Sequence, residues 1–83
     1  MTPKITIYGT NWCGDCIRTR RFLDGHGISY EFINIDHDKD GENFVKTTNH
    51  GMRSVPTILF EDGSILVEPS TSQLEQKTRG WGI

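Results

Sequence analysis

The sequence predicts an α/β domain in which a four-stranded mixed sheet carries helices on both faces, in the order β-α-β-α-β-β-α. Three observations predict it. A β-prone run, a breaker, an uninterrupted stretch and a second β-prone run fill residues 4–35, the pattern of a βαβ unit with a right-handed crossover. Two short β-prone runs flank "EDGS", which reads as an antiparallel hairpin. Ser70 and Gln73 then stand at the spacing of a capping box, ahead of a last helix. At 83 residues the chain has too little volume per unit surface for two cores, so residues 1–83 are expected to form one domain.

From Lys4 to Tyr8, Ile5 and Ile7 alternate with Thr6 as in a strand, and Gly9 breaks the pattern. Residues 17–23 contain no breaker, and Gly25 and Gly27 around His26 supply a helix stop, so a helix follows with Cys13 and Cys16 at its amino end. Tyr30 to Ile35 ("YEFINI") is the second strand. Asp36 to Asn49 is polar apart from Phe44 and Val45 and ends near Gly51, which suggests a second helix. Thr57 to Phe60 and Ile65 to Val67 are strands, with Asp62 and Gly63 suited to a type I′ turn. "STSQLEQKTR" is a helix expected to end at Gly80. Trp81 follows it and is assigned no role.

Composition excludes several function classes. Hydrophobic residues make up 34% and charged residues 24%, the balance of a soluble globular domain. A net charge of −2 offers no general attraction to phosphate, so no nucleic-acid partner is expected. No apolar run is long enough for a signal peptide or a membrane span, which places the chain in the cytoplasm, away from membranes. In that reducing compartment two cysteines point to catalysis or metal binding more than to a permanent disulfide.

Both cysteines lie in "TNWCGDCI". A Cys13 at a helix start meets the positive end of the helix dipole and unsatisfied N–H groups, which favour thiolate over thiol. Cys16, three positions on, shares its helical face and lies within disulfide reach. A purely stabilising disulfide is a weak alternative, because so short a loop removes little unfolded-state entropy. Zinc is another, but His26, His37 and His50 lack the spacing that would complete a four-ligand site, so no metal is expected. A C-x-x-C beside a βαβ pattern is the cue for redox chemistry, with Cys13 as nucleophile and Cys16 as resolving thiol.

Asp15 should oppose thiolate formation by like-charge repulsion. Arg18, Arg20, Arg21 and Arg53 would compensate if they lie near the site, although Arg20 and Arg21 read better as a solvated helix face. Trp12 is either a platform for a substrate chain or a cover for the core edge. Pro56, ahead of a strand, is by composition an ordinary strand start; a tight turn there would leave the Val55 backbone free to pair with an extended substrate.

A strand, C-x-x-C at a helix start, a second βα unit, "VP" before a hairpin and a last helix together resemble the thioredoxin fold in its short glutaredoxin form. The resemblance covers nearly the whole chain. "WCGDC", "NHGMRSVPTILFEDGS" and "EPS" are most similar to the mycoredoxins, glutaredoxin-like proteins that use mycothiol. It implies that Cys13 attacks a disulfide or mixed disulfide, that Cys16 resolves or shields the intermediate, and that Pro56 is cis and faces the thiols. It also implies that Val55 pairs its backbone with substrate and that Trp12 flanks the groove. Glutathione-using members carry C-P-Y-C, and a G-G followed by C-D that clamps a carboxylate; here "CGDC" and "VEPST" stand instead. Mycoredoxins have an aromatic residue where Asp15 stands.

The expected substrate-binding set is Trp12, Gly14, Asp15, Arg53, Val55, Pro56, Ser70 and Thr71, the two hydroxyls serving a sugar-bearing thiol. The expected activity is thiol–disulfide exchange that removes a low-molecular-weight thiol, of mycothiol or glutathione type, from protein cysteines. That thiol is a co-substrate, and no tightly bound cofactor is expected. The partners are disulfide or mixed-disulfide proteins and the thiol with its reductase, acting on a monomer. Two other readings stand beside it: a dithiol electron donor recharged by thioredoxin reductase, for instance to ribonucleotide reductase, and a glutaredoxin that holds an iron–sulfur cluster between two subunits.

Overall fold

The computed structural model describes residues 4–80; Trp81 lies outside them. The chain runs β1 (Ile5–Gly9), α1 (Gly14–Gly25), β2 (Glu31–Asn34), α2 (Lys39–Thr48), β3 (Thr57–Phe60), β4 (Ile65–Val67) and α3 (Thr71–Lys77). The sheet order is β2-β1-β3-β4. β1 pairs in parallel with β2 and antiparallel with β3, and β3 pairs antiparallel with β4, so the sheet is mixed.

Alternation along β1 distributes the helices. Ile5 and Ile7 join Leu23 of α1, Leu74 of α3, Ile28, Ile58 and Phe60 in the main core. Tyr8 points the other way, its ring 4.6 Å from that of Phe44 in α2. There α2 approaches closely: a Cβ on Gly41 would come within 2.9 Å of Ile33 Cγ2. Helices therefore cover both faces of the sheet.

Local chemistry shifts several boundaries. α2 begins at Lys39 rather than Asp36, because Asp38 is the N-cap and its Oδ1 accepts the Gly41 amide at 2.8 Å. That leaves Asp36 outside the helix. The β3–β4 connection is not the expected type I′ turn, which needs positive φ at both central residues. The Phe60 amide donates to Ser64 O at 2.9 Å, enclosing three residues, and among these only Gly63 has positive φ, at +88°. A three-residue loop needs a single left-handed position, and glycine fills it. The last helix stops at Lys77 rather than Gly80: Thr78 is its C-cap, with φ −104° and ψ 11°, and its hydroxyl donates back to Leu74 O at 2.7 Å.

Candidate active site

The chain leaves β1 and enters α1 through residues 10–13, which brings both thiols to the βα turn. Cys13 is the N-cap of α1, with φ −83° and ψ 120°. Its Sγ accepts the Cys16 amide at 3.3 Å, and its S–H donates to Val55 O at 3.7 Å. One orphan donor of the helix end is thus aimed at the sulfur, where it stabilises the negative charge of the attacking form. Gly14 opens α1, exposed and with free space around it.

The two thiols have opposite surroundings. Cys13 is partly exposed, whereas Cys16 has 0% exposure. Burial above all pushes the Cys16 thiol from 9.0 up to about 12; the Thr10 backbone opposes the rise, and Cys13 and Asp15 add to it. Gly9 makes room for this sulfur, because a Cβ there would stand 2.6 Å from Cys16 Sγ. The sequence marks Gly9 only as the end of a strand.

The Val55–Pro56 bond is cis, the geometry the resemblance implies rather than an ordinary strand start. Polar links hold the loop that carries it. Asn49 Nδ2 donates to Val45 O at 2.8 Å and to Thr57 Oγ1 at 3.1 Å, and the Thr57 hydroxyl donates to Ser54 O at 2.7 Å. Sequence reasoning missed both residues, since a hydrogen bond across eight positions outside regular structure leaves no periodic trace.

Two polar arms flank the thiols. On one side Trp12 is 69% exposed and donates its indole N–H to Asp36 Oδ2 at 2.8 Å, so the ring does not cover the core edge. Arg53 Nη2 donates to Asp36 Oδ1, and Arg53 Nε to Glu42 Oε2, each at 2.8 Å. The Arg53 guanidinium and then the indole hold the Asp36 carboxyl below its ordinary range. Lys39 first, then Arg53, do the same for Glu42. Arg53 is therefore paired with two carboxylates instead of facing the thiols unopposed. Asp36 and Glu42 were not foreseen, because nothing in the spacing links residue 12 to residue 36.

On the other side Arg18 Nη2 lies 3.6 Å from Asp15 Oδ1 and donates to Pro69 O at 2.8 Å, while Nη1 donates to Thr71 Oγ1 at 3.0 Å. Arg18 thus offsets Asp15 and ties α1 to the start of α3. The Ser70 hydroxyl accepts the Gln73 amide at 3.1 Å, and Gln73 Oε1 accepts the Ser70 amide at 2.8 Å, which completes the capping box. Arg20 lies 4.1 Å over the Phe32 ring rather than on a purely solvated face, and Arg21 is exposed. Among the described residues no three His, Cys, Asp or Glu side chains converge as metal ligands.

A four-stranded mixed sheet with a C-x-x-C at the first βα turn and a cis-proline opposite defines a thioredoxin-like dithiol protein. Comparison with known proteins narrows the class. The glutaredoxin family profile matches residues 5–65. A Mycobacterium tuberculosis protein classed as a glutaredoxin is 40% identical over 93% of this chain and 92% of its own. Mycoredoxin 1 of Corynebacterium glutamicum is 36% identical over 89% of this chain and 91% of its own. The solved structure of the glutaredoxin-like protein NrdH-redoxin from Escherichia coli, described as having a thioredoxin-like activity profile, superposes with a TM-score of 0.75. It is 25% identical and covers 88% of this chain and 92% of its own. The chain belongs to the glutaredoxin family and is a thiol–disulfide oxidoreductase, of a family that uses a low-molecular-weight thiol as co-substrate.

Proposed function

We propose that the chain reduces mixed disulfides between protein cysteines and a low-molecular-weight thiol of mycothiol or glutathione type. The observation that carries this reading is the asymmetry of the thiols: Cys13 is capped and accessible, while Cys16 is buried and held protonated. In the proposed cycle the Cys13 thiolate attacks the small-thiol sulfur of the mixed disulfide. A Cys13–small-thiol disulfide forms, and the protein thiolate leaves and takes up a proton. A second small thiol, as its thiolate, attacks the small-thiol sulfur of that intermediate. This yields the small-thiol disulfide and restores the Cys13 thiolate; Cys16 is not needed.

Trp12, Gly14, Asp15, Arg53, Val55, Pro56, Ser70 and Thr71 form the proposed binding set. Support for Val55 is that, among the described residues, its amide donates to no backbone carbonyl, which leaves it open to an extended substrate. Support for a protein substrate is exposed apolar surface at Trp12 beside Cys13, at Ile17 next to Cys16 in α1, and at Met52 in the segment that leads to the cis-proline. No described helix is long and apolar enough to cross a membrane, and we place the reaction in the reducing cytoplasm, carried out by a monomer.

The likeness to NrdH-redoxin favours a second reading, a dithiol donor recharged by thioredoxin reductase. There Cys16, after losing its proton to solvent, attacks Cys13 Sγ of the enzyme–substrate disulfide. The Cys13–Cys16 disulfide forms and the substrate thiolate is released. NADPH consumption with a mixed-disulfide substrate separates the two. Turnover that requires mycothiol or glutathione with its reductase is the expected result. Turnover with thioredoxin reductase alone would replace the first reading by the second.

A further inference from the structure

A cavity of about 450 Å³ lies on the Trp12 side of the site, lined by Asp36, His37, Asp38, Lys39, Glu42 and Arg53. Asp36 joins it to the dithiol turn, because the same carboxylate that lines the cavity accepts the indole N–H of the residue preceding Cys13. The cavity thus adjoins the turn that carries the nucleophile, and Arg53, two residues before Val55, lines it.

Its cations are already paired from within. A guanidinium carries five N–H donors and a permanent charge, and is the usual receptor for a ligand carboxylate. Here Arg53 directs Nε at Glu42 and Nη2 at Asp36, each at 2.8 Å. Lys39, the other cation of the lining, lies 3.4 Å from Glu42. Among the lining groups of fixed charge, the carboxylates of Asp36, Asp38 and Glu42 outnumber the cations Lys39 and Arg53 by one, with His37 beside them and Lys46 acting on Glu42 from outside the lining. A ligand carboxylate would have to share Arg53 with the two carboxylates it already holds and enter against that excess.

We infer that Asp36 and Glu42 determine specificity for the small thiol: by holding Arg53 they disfavour a thiol that carries carboxylates and favour one that is uncharged away from its sulfur. This inference rests on the mixed-disulfide reading above. Asp36 also supports Trp12, so Glu42 is the residue at which charge preference separates from support of the indole.

The test is single-turnover release of a peptide thiol from two substrates by the reduced enzyme. One peptide carries glutathione on its cysteine; the other carries glutathione monoethyl ester, which has one negative charge fewer. The wild-type enzyme is expected to prefer the ester. Glu42→Gln should move the ratio of rate constants toward glutathione by about threefold or more, and high salt should shrink the shift. In Glu42→Gln/Arg53→Gln the shift should vanish, since the freed guanidinium is its source. Far-UV circular dichroism and urea unfolding report whether each variant is folded. Equal wild-type rates on both peptides, or a ratio that Glu42→Gln leaves unchanged, overturn this inference alone. No release from either peptide or from one carrying mycothiol, alongside turnover with thioredoxin reductase, overturns the mixed-disulfide reading and this inference with it.

Discussion

Cys13 and Cys16 belong to one helical turn, yet only the first has solvent on one side and a helix amide on the other. Their roles therefore separate cleanly under substitution. Cys13→Ser is expected to lower mixed-disulfide reduction about a thousandfold or more, because a serine hydroxyl stays protonated where the thiol supplies the nucleophile. Cys16→Ser should keep that activity within about one order of magnitude, because the small thiol performs the second exchange. Single-turnover assays on both variants check this, and a fully active Cys13→Ser enzyme would reverse the assignment. The positions of both sulfurs were legible because capping and three-residue spacing are local rules. Their unequal burial was not, since Cys16 is covered by a packing arrangement that also depends on the absent side chain of Gly9. Likewise Trp12 was visible as an aromatic next to the nucleophile, while its partner Asp36 lies 24 positions away.

Among the elements, α3 shows how far local chemistry can be read. It has seven residues, too few to be stable alone, and both halves of its capping box are present. Ser70→Ala removes the acceptor for the Gln73 amide and should cost about 1 kcal/mol of stability, measured by urea unfolding. A loss well below that would mean that packing through Leu74 and the Arg18 link to Thr71 fix the helix without its cap. The strands and this cap follow from alternation and from one spacing rule. The start of α2 and the loop after β3 escaped, because an Asx cap at Asp38 and a three-residue loop compete with equally plausible local alternatives. The polar links of Asn49 and Thr57 around the cis-proline belong to the same unread class, as contacts made only once the chain is folded.

For the molecule as a whole, pH couples the site to stability. The Cys16 thiol ionises at about 12 when folded, against 9.0 ordinarily, so folding favours its protonated form. Tyr8 is raised in the same direction, by burial first and then by Glu31 and Asp38. Stability from both groups is complete at neutral pH and is lost as pH climbs from about 9 toward the folded values. Reduced wild-type protein should therefore lose unfolding free energy over that range more steeply than Cys16→Ser, as urea titrations at several alkaline pH values would show. Parallel pH profiles would mean that the thiol is not protonated by burial. The overall architecture was legible because each element announced itself locally. The network that joins residues 12, 36, 42 and 53 exists only at the level of the assembled sheet and helices.

The burial of Cys16 has a consequence for anyone counting sulfhydryls. An alkylating reagent added to the reduced native protein meets one accessible sulfur, at Cys13, and should add a single adduct before denaturant is present. Only after unfolding does the second label go on. The rate at which that second adduct appears without denaturant then gauges how often the structure opens to bare the buried sulfur.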